Sequence, residues 1–334
     1  MEQKKLRRRD RAWQPMVIAG IAAALAGCKA SVPTPSASST QVKVVATHSI
    51  LCDLTEQIAK ETIALKCLVK GGTDPHVYEP TPDDRRAIED AQLLLYSGYS
   101  LEPSLEKILR STSNPAPKVA IGEVAVPQPL MGEEHHHEEG EEQHEQGEEK
   151  EPDPHVWHDA KNGAKMADAI AQNLAKVAPE RAQFYQKNAE TLKTELTAID
   201  GWIRAQIATI PPQSRKLVTT HDAIAYYSHA YNLPLEGVLQ GLSTEQKPSA
   251  ARLKALVETI KTSGVPTIFA EATANSNAIA TVAKEAKVKI SERPLFTDGL
   301  GAAGSEGETY QKMLLANTQT IVQGLGGQFS AFRR

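Results

Sequence analysis

The chain lacks a long hydrophobic run. Its most apolar stretch, MVIAGIAAALAG (16–27), is too short to span a bilayer as a mature helix. It also lacks basic excess. Residues 1–27 hold six Lys/Arg and two Asp/Glu, so without them the formal charge falls from −4 to −8. No basic stripe remains to neutralise phosphates, which argues against nucleic acid as a partner. An HExxH motif is absent, and with it the commonest sequence sign of a zinc hydrolase. Cysteine is scarce: Cys28, Cys52 and Cys67 are all there are.

What is present begins at the N-terminus. Basic MEQKKLRRRDR, the apolar stretch and LAGC ending at Cys28 read as a secretory signal over 1–27. LAGC resembles the bacterial lipobox, in which the cysteine becomes the lipidated first residue. SVPTPSASSTQ then serves as a flexible tether over 28–41. The protein is expected outside the cytoplasmic membrane, periplasmic or on its outer face, anchored to it by lipid without spanning it. In that compartment Cys52 and Cys67 can bridge; as two small buried hydrophobes they would serve equally well, and the sequence leaves both open.

From residue 42 short aliphatic runs alternate with helix-like stretches. VKVVAT, IALKCLVK, QLLLYS and PKVAIG are strands of the first half; RKLVTT, LPLEGVLQ, PTIFAE and VKIS are strands of the second. Helices are expected near 222–232, 248–263, 275–286 and 307–324. The alternation predicts two α/β domains with parallel sheets covered on both faces. Between them Leu192, Leu196, Ile199, Ile203, Ile207 and Ile210 make one apolar stripe, so 179–210 reads as a long, stiff connecting helix with Gly201 as its weak point. MGEEHHHEEGEEQHEQGEEK (131–150) has no apolar periodicity and reads as a polar loop.

The residues with chemistry gather after strands. His76, His155 and His221 fall in such places, as do Glu271 and Asp298. In open α/β sheets ligands bind outside the carboxyl ends of strands, and three imidazoles with one or two carboxylates suit a divalent transition metal. A histidine at a strand end can equally be a hydrogen-bonding residue of the fold. His48, His158 and His229 are read that way. Tyr78 and Trp157 are expected to wall the site.

Motif order carries more. GGTDPHVYEPTPDD, DPHVWHDAKNGAKMA, TTHDAIAYYSHAYNL, GLSTEQKPSAARL, PTIFAEAT and PLFTDGLG occur in the order found in the zinc/manganese-type (cluster A-I) solute-binding lipoproteins of ABC transporters, which the chain resembles from about residue 42 to its end. The resemblance implies two (β/α)4-type lobes, 42–178 and 211–334, joined by the single long helix, with metal in the cleft between them. It implies His76, His155, His221 and Asp298 as ligands and no enzymatic activity; Glu271 is read as standing behind the ligands, with an approach to the metal, a pairing with Arg293 or a part in holding the cleft together as its alternatives. The two DPH segments are then not a repeat but two arms on one metal.

Histidine at 221, where manganese-type relatives usually carry glutamate, points to the zinc-uptake branch: Zn2+ as transported ligand, with Mn2+ the alternative and nickel or cobalt behind it. Three imidazoles and a carboxylate would make a closed tetrahedral site. The loop histidines His135, His136, His137 and His144 are expected to collect zinc weakly. A membrane permease is the implied partner, and a monomer the implied state. The rival classes are an extracytoplasmic zinc hydrolase, which needs an open coordination position, and an adhesin with a merely stabilising metal.

Overall fold

A computed structural model describes residues 41–133, 150–245, 247–273 and 276–333. The expected signal, Cys28, and His135, His136, His137 and His144 lie outside the described residues.

Strand formation follows the aliphatic runs. β1 (Val42–Ala46), β2 (Ile63–Cys67), β3 (Leu93–Tyr96) and β4 (Lys118–Ala120) form a parallel sheet in the order β2-β1-β3-β4. The intervening helices are α1 (Ser49–Ala59), α2 (Pro82–Asp90), α3 (Pro103–Ser111) and α4 (Ile121–Ala125). Because side chains alternate along a strand, Val44, Ala46, Leu93 and Leu95 enter one core while Val45 and Leu94 enter another on the opposite face. Both faces are therefore covered, as the unbroken apolar runs predict. Turn chemistry sets the helix starts. Thr81 and Asp84 form a capping box with Pro82 in the first turn of α2. Cys52 and Cys67 are bridged, tying α1 to β2 with Cα atoms 5.7 Å apart.

The hairpin that follows α4 and the helix after it escaped the sequence reading. β5 (Met131–Glu133) and β6 (Lys150–Pro152) pair antiparallel, so both ends of the His/Glu-rich segment are strands. α5 (Ala160–Val177) then runs into a turn at Pro179–Arg181 and into α6 (Ala182–Ala208). α5 buries Met166, Ala167, Ile170, Ala171 and Leu174; so alanine-rich a face gives weak hydropathy contrast. The connecting helix is accordingly not a lone rod. α6, about 40 Å long, packs against α5, α1 and, in the second half, α10 (Tyr310–Gly324). Its stripe from Leu192 to Ile210 is buried throughout, and the helix runs unbroken through Gly201.

The second half repeats the topology. β7 (Leu217–His221), β8 (Leu235–Gln240), β9 (Thr267–Ile268) and β10 (Lys289–Ile290) pair in parallel as β7 with β8 and β9 with β10; a single Thr219–Phe269 bridge sets the order β8-β7-β9-β10. The intervening helices are α7 (Ala225–Tyr231), α8 (Ala250–Ser263) and α9 (Ser276–Ala286). Ser249 caps α8 at its start, and Gly264, at φ +68°, ends it in the left-handed conformation. The result is a mixed α/β fold with two parallel sheets whose carboxyl ends share one site.

Candidate metal centre

Each arm of the site begins with the same local turn. Asp74 Oδ1 accepts from the backbone N–H of His76 at 2.9 Å, and Asp153 Oδ1 accepts from that of His155 at 2.9 Å. Proline between the two residues keeps the preceding aspartate extended, so the histidine is thrown off the strand end. Asp153 Oδ1 also takes the Nδ1 proton of His155 at 2.8 Å. His221 ends β7, and Glu271 serves it from the strand beside: Oε1 accepts from the N–H groups of Thr220 and His221 at 3.0 Å each, and Oε2 takes the His221 Nδ1 proton. With Nδ1 held protonated in both rings, Nε2 is the nitrogen each ring turns to the centre, where a cation would displace any proton it carries. Asp298 lies beyond β10, its Oδ2 accepting from Thr273 Oγ1 at 2.7 Å.

These four residues, and no other group of three or more acidic, histidine or cysteine side chains among the described residues, bring ligand atoms within 4.8 Å of one another. Asp298 Oδ1 stands 2.9 Å from His221 Nε2, 3.4 Å from His76 Nε2 and 3.5 Å from His155 Nε2, and the last two are 3.3 Å apart. A tetrahedron with bonds of about 2.0–2.1 Å to zinc has edges of about 3.3 Å; the four edges given lie near that length, and the whole set of ligand atoms lies within 4.8 Å. All four residues are buried. His221 Nε2 and Asp298 Oδ1, both buried, face only each other and the other ligand imidazoles, so no group outside the cluster competes with a cation for them.

Electrostatics agree. Burial disfavours the Asp298 carboxylate, yet the facing His221 and hydrogen bonds from His155, His221 and His76 hold its pKa well below the ordinary value. Burial disfavours imidazolium at His221, but the charges of Asp298 and Glu271 raise it well above its usual value. His155 is likewise raised, burial being outweighed by its hydrogen bonds to Asp153 and Asp298. The centre attracts positive charge strongly enough to overcome desolvation.

Glu271 is not paired with Arg293, which faces Glu306 at 3.6 Å. It orients a ligand and, through Thr297 Oγ1 at 3.1 Å, ties His221 to the Asp298 segment. His158 and His48 are buried donors: His158 Nε2–H reaches the Thr297 carbonyl at 2.8 Å and His48 Nε2–H the Asp298 carbonyl at 2.7 Å. Desolvation pushes both down to about 4, so both are neutral. His229 is exposed. Trp157 walls the site as expected, 5.5 Å from the His155 ring and 4.8 Å from that of His48. Tyr78 does not: it packs on the β1–β3 core opposite α1, and its hydroxyl donates to Asp84 in the α2 cap. His48 and His158 are thus hydrogen-bonding residues of the fold, as the sequence reading has them.

A family model described as "ZnuA: Zinc-uptake complex component A periplasmic" matches residues 44–324. The manganese-binding lipoprotein MntA of Halalkalibacterium halodurans is 32% identical over 310 residues, covering 93% of this chain and 96% of that protein. The manganese ABC transporter substrate-binding lipoprotein PsaA of Streptococcus mitis is 32% identical over 296 residues, 87% of this chain and 91% of its own. Among solved structures, the periplasmic zinc binding protein TroA of Treponema pallidum superposes with a TM-score of 0.76 at 30% identity, over 85% of this chain and 99% of that one.

Proposed function

The chain belongs to the ZnuA family of periplasmic zinc-uptake components, non-enzymatic substrate-binding parts of metal ABC transporters, and from that premise we propose that it captures Zn2+ and hands it to a membrane permease. Three imidazoles and Asp298 are the ligands. The observation that carries the zinc reading is His221, whose imidazole is held by Glu271 through Nδ1 with its Nε2 facing Asp298. Imidazole favours zinc, whereas manganese favours oxygen donors and a higher coordination number. A site closed by four protein donors leaves no position for a substrate, which opposes the hydrolase reading.

The proposal extends to architecture. Residues 42–178 and 211–334 act as the two lobes and 179–210 as the link between them. Cys28 carries the lipid anchor, and His135, His136, His137 and His144 collect zinc weakly. Among the described residues no helix is long and apolar enough to cross a membrane.

Manganese is the second reading, favoured by the manganese lipoproteins named above. Metal competition on the metal-stripped chain at neutral pH decides between them. One tight zinc site poorly displaced by excess manganese is expected, with His221→Glu weakening zinc far more than manganese. Tighter manganese binding by the parent chain would overturn the zinc assignment.

A further inference from the structure

Residues 241–245 leave the end of β8 and cross to the other half of the site. β8 pairs with β7 so that Gln240 is the register partner of His221, and the Gly241 carbonyl accepts from Asp222 N–H at 3.2 Å. The segment is thus fastened beside His221 at its start. It then touches both histidine arms of the first lobe. Thr244 Oγ1 donates to Asp74 Oδ2 at 2.6 Å, while the other oxygen of that carboxylate holds the backbone of His76. Leu242, itself buried, lies against Gly132 of β5 so closely that a Cβ there would fall 2.5 Å from Leu242 Cδ2. β5 pairs with β6, and Asp153 N–H returns to the Leu130 carbonyl at 2.8 Å, two residues before His155.

The two DPH arms therefore differ in one respect. Asp153 spends Oδ1 on His155 and leaves Oδ2 buried without a partner, whereas Asp74 lends its second oxygen across the lobes. We infer that residues 241–245 are a strap that latches the closed form, with Thr244 as a positioning residue that sets how long the metal stays. This deepens the proposed function and rests on it. Thr244 touches no ligand atom; it holds the carboxylate that holds His76. A donor lost from a carboxylate shows in the rate of opening, since the bond exists only when the lobes meet.

The test is release of bound metal from the intact chain into excess chelator, by stopped flow, beside the rate of capture. Zinc is the probe, and manganese replaces it if the parent prefers that ion. Thr244→Val is expected to release metal about tenfold faster with unchanged 1:1 stoichiometry, capture rate and metal-free melting temperature; Thr244→Ser restores the parent rate. Gly132→Ala, which presses on Leu242 from the other arm, is expected to speed release by several-fold without touching Thr244. A parent chain that takes up neither metal refutes the functional reading and the strap with it. A parent that binds, with both Thr244→Val and Gly132→Ala releasing at the parent rate, refutes the strap alone.

Discussion

Replacing Glu271 by glutamine changes no ligand and forces a choice of proton. The carboxylate now accepts from two backbone N–H groups through Oε1, and from His221 Nδ1 and Thr297 Oγ1 through Oε2. An amide that keeps its oxygen on the backbone donors turns its NH2 toward Nδ1, which must then accept. The ring proton moves to Nε2, the atom 2.9 Å from Asp298 Oδ1, and the lone pair needed by the metal is gone. Turned the other way, the amide keeps the correct tautomer but sets its NH2 against Thr220 N–H and His221 N–H. Each buried donor left without an acceptor costs about 1–3 kcal/mol. Loss of an outer partner of a metal-bound histidine costs about 10–100-fold in affinity, or about 1.4–2.7 kcal/mol. Glu271→Gln is expected at the upper end of that range, because both amide orientations are penalised and a charge is lost. Competition with a chromophoric chelator measures the affinity, and ring 15N shifts report the His221 tautomer in the metal-free chain once the pH is above its raised pKa. Affinity within twofold of the parent, with Nδ1 still protonated, would refute the reasoning.

Metal binding should release protons. His221 and His155 have raised pKa values without metal, so metal must displace protons that persist to higher pH than on an ordinary imidazole, and affinity falls as pH drops through those values, about tenfold per pH unit for each proton released. Titration calorimetry in buffers of different ionisation enthalpy counts them; affinity constant from pH 8 to 6 would count against the assignment, as would metal loss that only accompanies unfolding on acidification to about pH 5. A second expectation concerns Glu102, buried behind β1 and β3 where Thr47 and Ser97 donate to it. Burial raises its pKa from 4.5 to about 7. Because this acid is raised in the folded state, its stabilising share is present below pH 4.5 and is lost as pH climbs toward 7, about 3 kcal/mol in all. Glu102→Gln should remove that loss, and denaturant unfolding at pH 5 and pH 8 should show a flatter profile; an unchanged slope would show that Glu102 is already ionised.

The strands were legible in the sequence because aliphatic runs bounded by turns are a strong local signal; of the four converging residues only His221 directly follows such a run, and the set was legible through the order of the motifs that contain it. The partner carboxylates were less so. Asp153 is visible in DPHVWH once the turn is understood, but Glu271 meets His221 across 50 residues, and only strand order brings them together. α5 was missed because alanine packs a helix closely without marking a face. Tyr78 was misplaced for a related reason: sharing a heptapeptide with His76 says little about which core a side chain enters, since β1 alone feeds two.

The pairing of α5 with α6 gives the link a thermodynamic meaning. A lone helix crossing between lobes bends at low cost; one flanked by α1, α5 and α10 confines the lobes to a narrow range of separations. Little conformational freedom is then left to lose when an ion arrives, and more of the coordination energy survives as affinity. Exit obeys the same restriction. With the spine stiff, the proposed release needs little more than small displacements at the carboxyl ends of the sheets, since bonds only about 2 Å long fail over a short distance.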